Sequence, residues 1–572
     1  MAGVLGQCPQ RSAPRHPPGD KPLTAPAPRP VTNVAALVAR SAQRYATRRA
    51  IVTPQRSLSY AELDARANRL ANALLGLGLA RGDRVGIYLP NCAEIVETEL
   101  ACYKAALVKA PYNARLSPAE VGATVDNSGA SLVITTAARA EAFRPHVRGA
   151  MPRLLLLDGP EGSDYEALLA RASDRFEAVA VHADELAVLH YTSGSSGVLK
   201  AAMQTFGNRL AQLRKFLMRP DTTRPGDILG LVGPITHASG MQLVPALCSG
   251  TTIRLFSGFA PDRFLADMRA ERVTHTFLVP TMVNMLLAEL EGQYRPLPDL
   301  QRLGYGAAPM APARILRAMD VFGPVLSQGY GAGETTSGVC GLTVEDHLHA
   351  RAARPERLAS CGRPLLECDV QILGDDGQPV ALGEIGEIVV GGEDVFAGYW
   401  RAPELTAEVL KDGRYHTGDL ARLDEEGFVY IVDRKKDMVI SGGFNVYPSE
   451  VEAVLYQHAA VAEACVFAVP DDKWGESVAA HVVLRPGQAA DARALDAFCA
   501  ERLAGFKRPR HLEFVAALEK NSNGKVARKA IQAPYWANHA PATASWRPSA
   551  TTATTSSCSW PCWWWRRCSS AS

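Results

Sequence analysis

The densest chemical signal in the chain is Tyr191-Thr192-Ser193-Gly194-Ser195-Ser196-Gly197-Val198-Leu199-Lys200. The hydroxyls of Thr192, Ser193, Ser195 and Ser196 can donate to phosphate oxygens, and Lys200 adds positive charge. Gly194 and Gly197 let the backbone approach an anion closely and adopt positive φ. Residues 187–191, just before it, have strand character, and a loop leaving a strand can present its N–H groups as a nest for phosphate. The spacing is not that of the GxxxxGK[ST] loop, so that loop's fold is not implied. A Ser/Gly stretch alone is more often a linker. The preceding strand and the following lysine weigh against that here.

The elements that must position such a loop alternate along the chain. Ser59 and Glu62 have capping-box spacing, and Tyr60, Leu63, Ala67, Leu70 and Leu74 then recur on one helical face. Thr32 is the expected cap of a helix through Val34, Leu37 and Val38. Apolar runs at 85–89, 132–135, 154–157, 187–191, 252–256 and 276–279 read as strands. Helix-patterned segments lie between several of them, which predicts mostly parallel sheets covered on both faces. After about residue 433 the pattern shortens. A helix capped by Ser449 with Glu452, strands at 465–469 and 481–484, and a helix around 495–503 predict a smaller α+β unit.

Composition narrows the classes. The chain has 572 residues, 47% hydrophobic and 21% charged, with a formal net charge of +2. That is ordinary globular composition with no bulk electrostatic pull on nucleic acid. No run of about 18 apolar residues exists to span a membrane. The twelve cysteines are scattered without CxxC pairs, which predicts reduced thiols and a cytoplasmic setting. Residues 1–30 hold eight prolines and read as a disordered leader or a mis-set start. Residues 537–572, ending in a Trp- and Cys-rich run, read as a disordered or out-of-frame tail.

Six further segments follow in order. They are Gly304-Tyr305-Gly306-Ala307-Ala308-Pro309, Gln328-Gly329-Tyr330-Gly331-Ala332-Gly333-Glu334-Thr335, Tyr415-His416-Thr417-Gly418-Asp419, Asp433-Arg434-Lys435-Lys436-Asp437, Ser441-Gly442-Gly443-Phe444 and Asn521-Ser522-Asn523-Gly524-Lys525. Together with the phosphate loop they resemble the adenylate-forming superfamily, which includes acyl- and aryl-CoA synthetases, peptide-synthetase adenylation domains and firefly luciferase. The resemblance spans residues 31–536 and is to the acyl/aryl-CoA synthetase branch.

The resemblance implies an α/β fold: a large N-terminal domain of mostly parallel sheets covered by helices, with a small β-barrel part, and a small mobile α+β C-terminal domain. The expected boundaries are 31–433, a hinge at 434–436, and 437–536. It implies that Gly306, Ala307 and Ala308 lie against adenine, that Tyr330 stacks on it, and that Glu334 holds Mg²⁺. Asp419 would accept from both ribose hydroxyls, and Arg434 would contact the ribose. Lys436 would be the pivot, Gly442 and Gly443 would line the CoA tunnel, and Lys525 would bridge the charge developing between carboxylate and α-phosphate. His237 would gate the carboxylate pocket. An imidazole there cannot receive an α-ammonium, which disfavours amino acids.

The implied partners are ATP, Mg²⁺, CoA as co-substrate and a small carboxylic acid; a homodimer is left open. The expected acyl wall, His237, Met241, Met282, Tyr305, Gly306, Gly329 and Ala332, suggests a medium- or long-chain fatty acid or an aryl acid, with no charged partner for a diacid. Gly333 stands where the family usually has Thr, Leu199 where it has Pro, and Ala201 where it has Gly. The rival readings are a freestanding enzyme loading a carrier protein and a non-catalytic nucleotide-binding homologue.

Overall fold

A computed structural model describes residues 30–159, 165–193, 199–290, 297–520 and 525–537. The helix Tyr60–Gly76 begins as its sequence dictates. Ser59 Oγ accepts from Glu62 N at 3.2 Å while Glu62 Oε2 accepts from Ser59 N at 2.7 Å, and all five stripe residues are buried. The helix Val34–Arg44 is capped by Asn33, one residue beyond the expected Thr32. An asparagine serves two needs there. Its Oδ1 takes Ala35 N at 3.0 Å, and its amide reaches Tyr103 O at 2.7 Å in the core, a tertiary bond that Thr cannot reproduce.

Two large sheets dominate the N-terminal part. In the first, the order is Leu199–Thr205, Leu186–Ser193, Val108–Pro111, Arg84–Ile87, Leu132–Thr135 and Arg153–Leu156. All neighbours are parallel except the first pair, an edge hairpin in which Lys200 is in register with Thr192. Most of the phosphate-loop motif, residues 194–198, falls between these two strands in the sequence. Gly194, Ser195, Ser196 and Gly197 lie outside the described residues, as do the expected leader and tail.

The second sheet runs Arg363–Pro364, Gly338–Leu342, Leu326–Gly331, Arg302–Gly306, His275–Leu278, Ile228–Leu231, Thr252–Leu255, Arg49–Val52 and Ser57–Ser59. It is parallel from Leu326–Gly331 through Arg49–Val52 and antiparallel towards its edges. The expected apolar strands are therefore present, displaced by one or two residues. An antiparallel sheet built from Asp369–Leu373, Gly386–Gly391, Leu410–Lys411, Arg414–Leu423 and Val429–Arg434 occupies the place of the small all-β part.

The C-terminal unit wraps Pro448–Leu455, Ala492–Ala500 and Arg528–Trp536 around a sheet centred on Val461–Asp471 and Gly475–Leu484. Ser449 does not cap its helix with Glu452, as its spacing suggested; the helix starts at Pro448 without a side-chain cap. Ser449 instead donates through Oγ to Val432 O and through N to Asp433 Oδ2, while Glu452 accepts from Val466 N and from Arg528. Tertiary partners have taken both groups. Arg528 also meets Asp437 Oδ2 at 3.1 Å and Asp433 Oδ1 at 3.7 Å, fastening the C-terminal helix to both sides of residues 434–436. No helix among the described residues is long and apolar enough to cross a membrane, and the eight described cysteines are free.

Two buried histidines stitch the second sheet. His347 Nδ1 lies 2.7 Å from Thr343 O, so it donates there, which leaves Nε2 to accept from Tyr305 Oη at 2.8 Å. Burial brings His347 and His275 down to about 4 from 6.5. The unfolded chain binds these protons near pH 6.5 and the folded chain only near pH 4, so stability is lost as pH falls through that window. Urea midpoints should accordingly be lower at pH 5 than at pH 7.5, and His347→Gln should narrow the gap. A midpoint unchanged between these pH values would contradict the neutral assignment.

Candidate active site

Asp419 lies where the second sheet and the antiparallel sheet meet. It is directly opposite Arg434 in register, and Arg434 Nε donates to Oδ1 at 3.0 Å. Tyr330, near the end of Leu326–Gly331, donates its hydroxyl to Oδ2 at 2.6 Å. Gly418 holds φ 72°, which lets the strand turn its Asp419 carboxylate into the cleft. Burial, reinforced by the carboxylate, drives the Tyr330 phenol well above its usual range, so it remains a donor. A carboxylate held by one donor on each oxygen keeps lone pairs for a vicinal diol.

Glu334 is 7% exposed, and its loop is tied down at four points. Gln204 Nε2 donates to Gly333 O at 2.9 Å, and Phe396 N donates to Glu334 O at 2.8 Å. Ala332 N donates to Thr335 Oγ1 at 3.0 Å, and Thr336 Oγ1 donates to Asp394 O at 2.7 Å. The carboxylate itself accepts from Tyr399 Oη at 2.7 Å. Tyr399 reaches this position because residues 397–400 pair with the outer edge of Leu199–Thr205: Met203 N bonds Gly398 O, Ala397 N bonds Met203 O and Trp400 N bonds Ala201 O, each at 2.9 Å. Lys200 Nζ stands 5.4 Å above the Tyr399 ring, a cation–π contact that sets it beside Glu334.

Gly306 and Gly329 touch backbone to backbone. A Cβ on Gly306 would sit 2.3 Å from Gly329 O, so only glycine fits. Ala307 adopts φ 65°, turning the segment so that Ala307 and Ala308 are half-buried at the strand end. The Tyr305 hydroxyl is taken by His347, so it is unavailable as a polar group for the acyl wall. His237 packs edge-on to His190 at 5.8 Å between ring centroids, and its Nδ1 is 3.0 Å from Thr236 Oγ1. Burial first, then Arg115 and Lys525, lowers it to about 4, so it is neutral at pH 7.

Lys525 comes from the C-terminal unit. Its side chain is exposed, and its pKa is lowered by desolvation and Arg434 against an upward pull from Asp419, which puts it within electrostatic reach of that pair. Lys436 is lowered to about 8, first by desolvation and then by Arg434, with Lys529 and Lys200 contributing. Lys436 therefore feels the charge of both Arg434 and Lys200. Gly442 and Gly443 do not join them by any recorded contact. They form an exposed turn at φ 60° and 82°, with Gly442 N bonded to Trp474 O at 2.9 Å and a Cβ on Gly442 blocked by the Trp474 ring at 2.6 Å. Thr192 and Ser193 are in the strand leading into the loop.

Sequence reasoning missed Tyr399, Gln204 and Arg115. Tyr399 is 65 positions from the carboxylate it serves, and only its place in Ala397-Gly398-Tyr399-Trp400, a Gly/aromatic turn, offered a signal.

A large α/β part with mixed sheets followed by a small C-terminal unit is the architecture of adenylate-forming enzymes. The chain belongs to the AMP-binding enzyme family, whose description matches residues 38–400, with the AMP-binding enzyme C-terminal domain matching residues 450–525. It is an AMP-forming acid–thiol ligase of the acyl/aryl-CoA synthetase branch. It is 39% identical over 478 residues to a feruloyl-CoA synthase of an Amycolatopsis species, covering 83% of this chain and 94% of that one. It is 38% identical over 360 residues to a medium/long-chain-fatty-acid–CoA ligase of Mycobacterium tuberculosis, covering 62% of each. Among solved structures, ATP-bound MatB from Rhodopseudomonas palustris aligns with a TM-score of 0.79 at 30% identity, covering 88% of this chain and 99% of that one. The o-succinylbenzoate CoA synthetase of Bacillus subtilis with its acyl-adenylate aligns at 0.76 and 29% identity, covering 86% and 97%.

Tyr399→Phe removes the donor that orients Glu334. If Glu334 holds Mg²⁺ as the resemblance implies, activity titrated against Mg²⁺ should show a half-saturating concentration raised about tenfold, as when a metal ligand loses its supporting hydrogen bond. An unchanged Mg²⁺ curve would sever the link between the two residues.

Proposed function

We propose that this chain joins a medium- or long-chain fatty acid or an aryl acid to CoA through an acyl-adenylate. The observation that carries the reading is the Asp419 carboxylate held by Arg434 and Tyr330, with a second carboxylate, Glu334, oriented by Tyr399. That arrangement suits the first half-reaction. The acid's carboxylate oxygen attacks the α-phosphorus of ATP, the bond from that phosphorus to the α,β-bridging oxygen breaks, and pyrophosphate leaves. Lys525 spans the charge on carboxylate and α-phosphate, an electrostatic rather than a proton-transfer role. Asp419 and Arg434 hold the ribose, Tyr330 and the turn at 306–308 receive adenine, and the hairpin with Lys200 takes the distal phosphates.

Glu334 fits a magnesium ion. Its carboxylate has one oxygen engaged by Tyr399 and acceptor capacity to spare, and Mg²⁺ takes one or two carboxylates with phosphate oxygens and water. Among the described residues no cluster of three or more acidic, His or Cys side chains competes for a metal. Bound there, the ion would neutralise phosphate charge.

In the second half-reaction the CoA thiol, losing its proton to solvent, attacks the acyl carbon and AMP leaves. Rotation of the C-terminal unit about Lys436 brings the Gly442–Gly443 turn to the site. A neutral His237 yields to that movement without leaving a buried charge behind. The two relatives at 39% and 38% identity, one for an aryl acid and one for fatty acids, support both acid classes.

Pyrophosphate release from ATP across fatty, aryl and amino acids, with and without CoA, tests this directly. Fatty or aryl acids should stimulate release, with multiple turnovers requiring CoA. Turnover that needs a carrier protein instead would move the assignment to carrier loading. Lys525→Ala should slow adenylation by about 100-fold or more, the usual cost of removing a transition-state charge stabiliser, while sparing thioesterification of supplied acyl-AMP. Equal damage to both half-reactions would refute the role of that lysine.

A further inference from the structure

Behind His237, on the side facing the first sheet, lies a polar cavity that the adenylation chemistry does not use. It is lined by Lys109, His190, Gln204, Arg209, His237 and Met241, among others. Lys109 and Arg209 share a single carboxylate, Glu99, at 2.9 and 3.5 Å, and Glu99 is 1% exposed. Arg209 Nη1 is 3.3 Å from Met241 Sδ, and Gln212 Nε2 donates to Met241 O at 2.6 Å, so the 3₁₀ turn Ala238–Gln242 is docked onto this cluster.

The cavity has two unused polar atoms on its lining residues. Arg209 Nε, a donor, and Gln204 Oε1, an acceptor, are buried without a hydrogen-bond partner among the described residues, and the two residues are 3% and 0% exposed. Leaving buried groups unpaired is costly, so the pair calls for a group that both accepts and donates. A hydroxyl does both with one oxygen atom. The space open to the centre of a water molecule is about 10 Å³, room for one oxygen and too small for a carboxylate or phosphate. Two cations against one carboxylate repel an amine, and His190 and His237, both held neutral by burial, add no charge.

We propose that this cavity is a subsite for a single hydroxyl oxygen of the acid substrate, distal to the reacting carboxylate. The inference rests on the ligase reading and narrows it to hydroxylated aryl or fatty acids. His237 and Met241 line this cavity and are also among the residues expected from the sequence to form the acyl wall, and it is these two side chains that relate the subsite to that wall. Gln204 is pinned through Nε2 to Gly333, so its Oε1 is held in fixed register with Glu334. Sequence pattern gave no warning of this floor: the wall residues are apolar or small, and Lys109 and Arg209 come from a strand and a helix far away in the chain.

The test uses matched acids, 4-hydroxycinnamate against cinnamate and 10-hydroxydecanoate against decanoate, with the full chain, ATP, Mg²⁺ and CoA. In the unaltered protein the hydroxylated member of at least one pair should have kcat/KM about tenfold higher or more, the worth of one satisfied buried pair. Gln204→Leu and Arg209→Lys should each bring that ratio towards one. A ratio near one in the unaltered protein, or one that both variants leave intact, overturns the subsite and makes the cavity the seat of an ordered water. Calorimetric binding of the same four acids to the ATP-loaded protein reads the ratio without turnover. Silence of all acids in the pyrophosphate assay, with preferential binding of the hydroxylated members, would condemn the ligase reading and leave the subsite standing.

Discussion

Backbone hydrogen bonds on both edges of the strand Leu199–Thr205 hold three layers in register. One edge completes the hairpin that ends the first sheet, and the other pairs with residues 397–400 from the connection between the strands Gly386–Gly391 and Leu410–Lys411 of the antiparallel sheet. Gln204, at its end, reaches the loop that leaves the second sheet. The phosphate-loop lysine, the tyrosine that holds Glu334 and the glutamate itself are thereby fixed by one main-chain segment. Side chains from three sheets can then act on one nucleotide with little freedom left to lose on binding.

The second tie is electrostatic. Lys215 and Asp394, both almost fully buried, form an ion pair, and the same Asp394 carbonyl accepts from Thr336 beside Glu334. Buried pairs of this kind contribute little net stability because desolvation offsets their attraction, but they penalise any other arrangement. Here the penalised arrangement is one in which the Glu334 loop drifts from the helix Phe206–Leu217. The absence of a threonine hydroxyl at Gly333 is accommodated in the same way: Gln204 takes the Gly333 carbonyl, and Thr335 closes the turn.

What the sequence made legible was whatever depended on neighbours along the chain. The Ser59–Glu62 capping box, the stripe from Tyr60 to Leu74 and the apolar strands need only local spacing, and they appear where that spacing puts them. The same spacing at Ser449 and Glu452 failed because Val432, Asp433, Val466 and Arg528 compete for those side chains from afar. Thr32 lost to Asn33 for a like reason. At the site, Tyr330, Glu334, Asp419 and Arg434 were readable through a family pattern, whereas Tyr399 and Gln204 act only through contacts that folding creates. Lys109 and Arg209 were invisible for the same cause: a charged residue in a strand or helix reads as solvated until its burial is known.

The clasp made by Arg528 has a mechanical consequence. It grips Asp433 and Asp437, one on each side of the pivot proposed at Lys436, from a single helix of the moving unit. If the unit turns about that pivot as proposed, both grips cannot persist, and the longer Asp433 contact would be the one released. On that reading Arg528 would act as a latch whose strength sets how long the C-terminal unit dwells in the adenylating pose. Too strong a latch would strand finished adenylate, and too weak a one would let the thiol-accepting pose form before ATP has reacted. The partial exposure of Arg528 leaves that latch open to tuning by ionic strength.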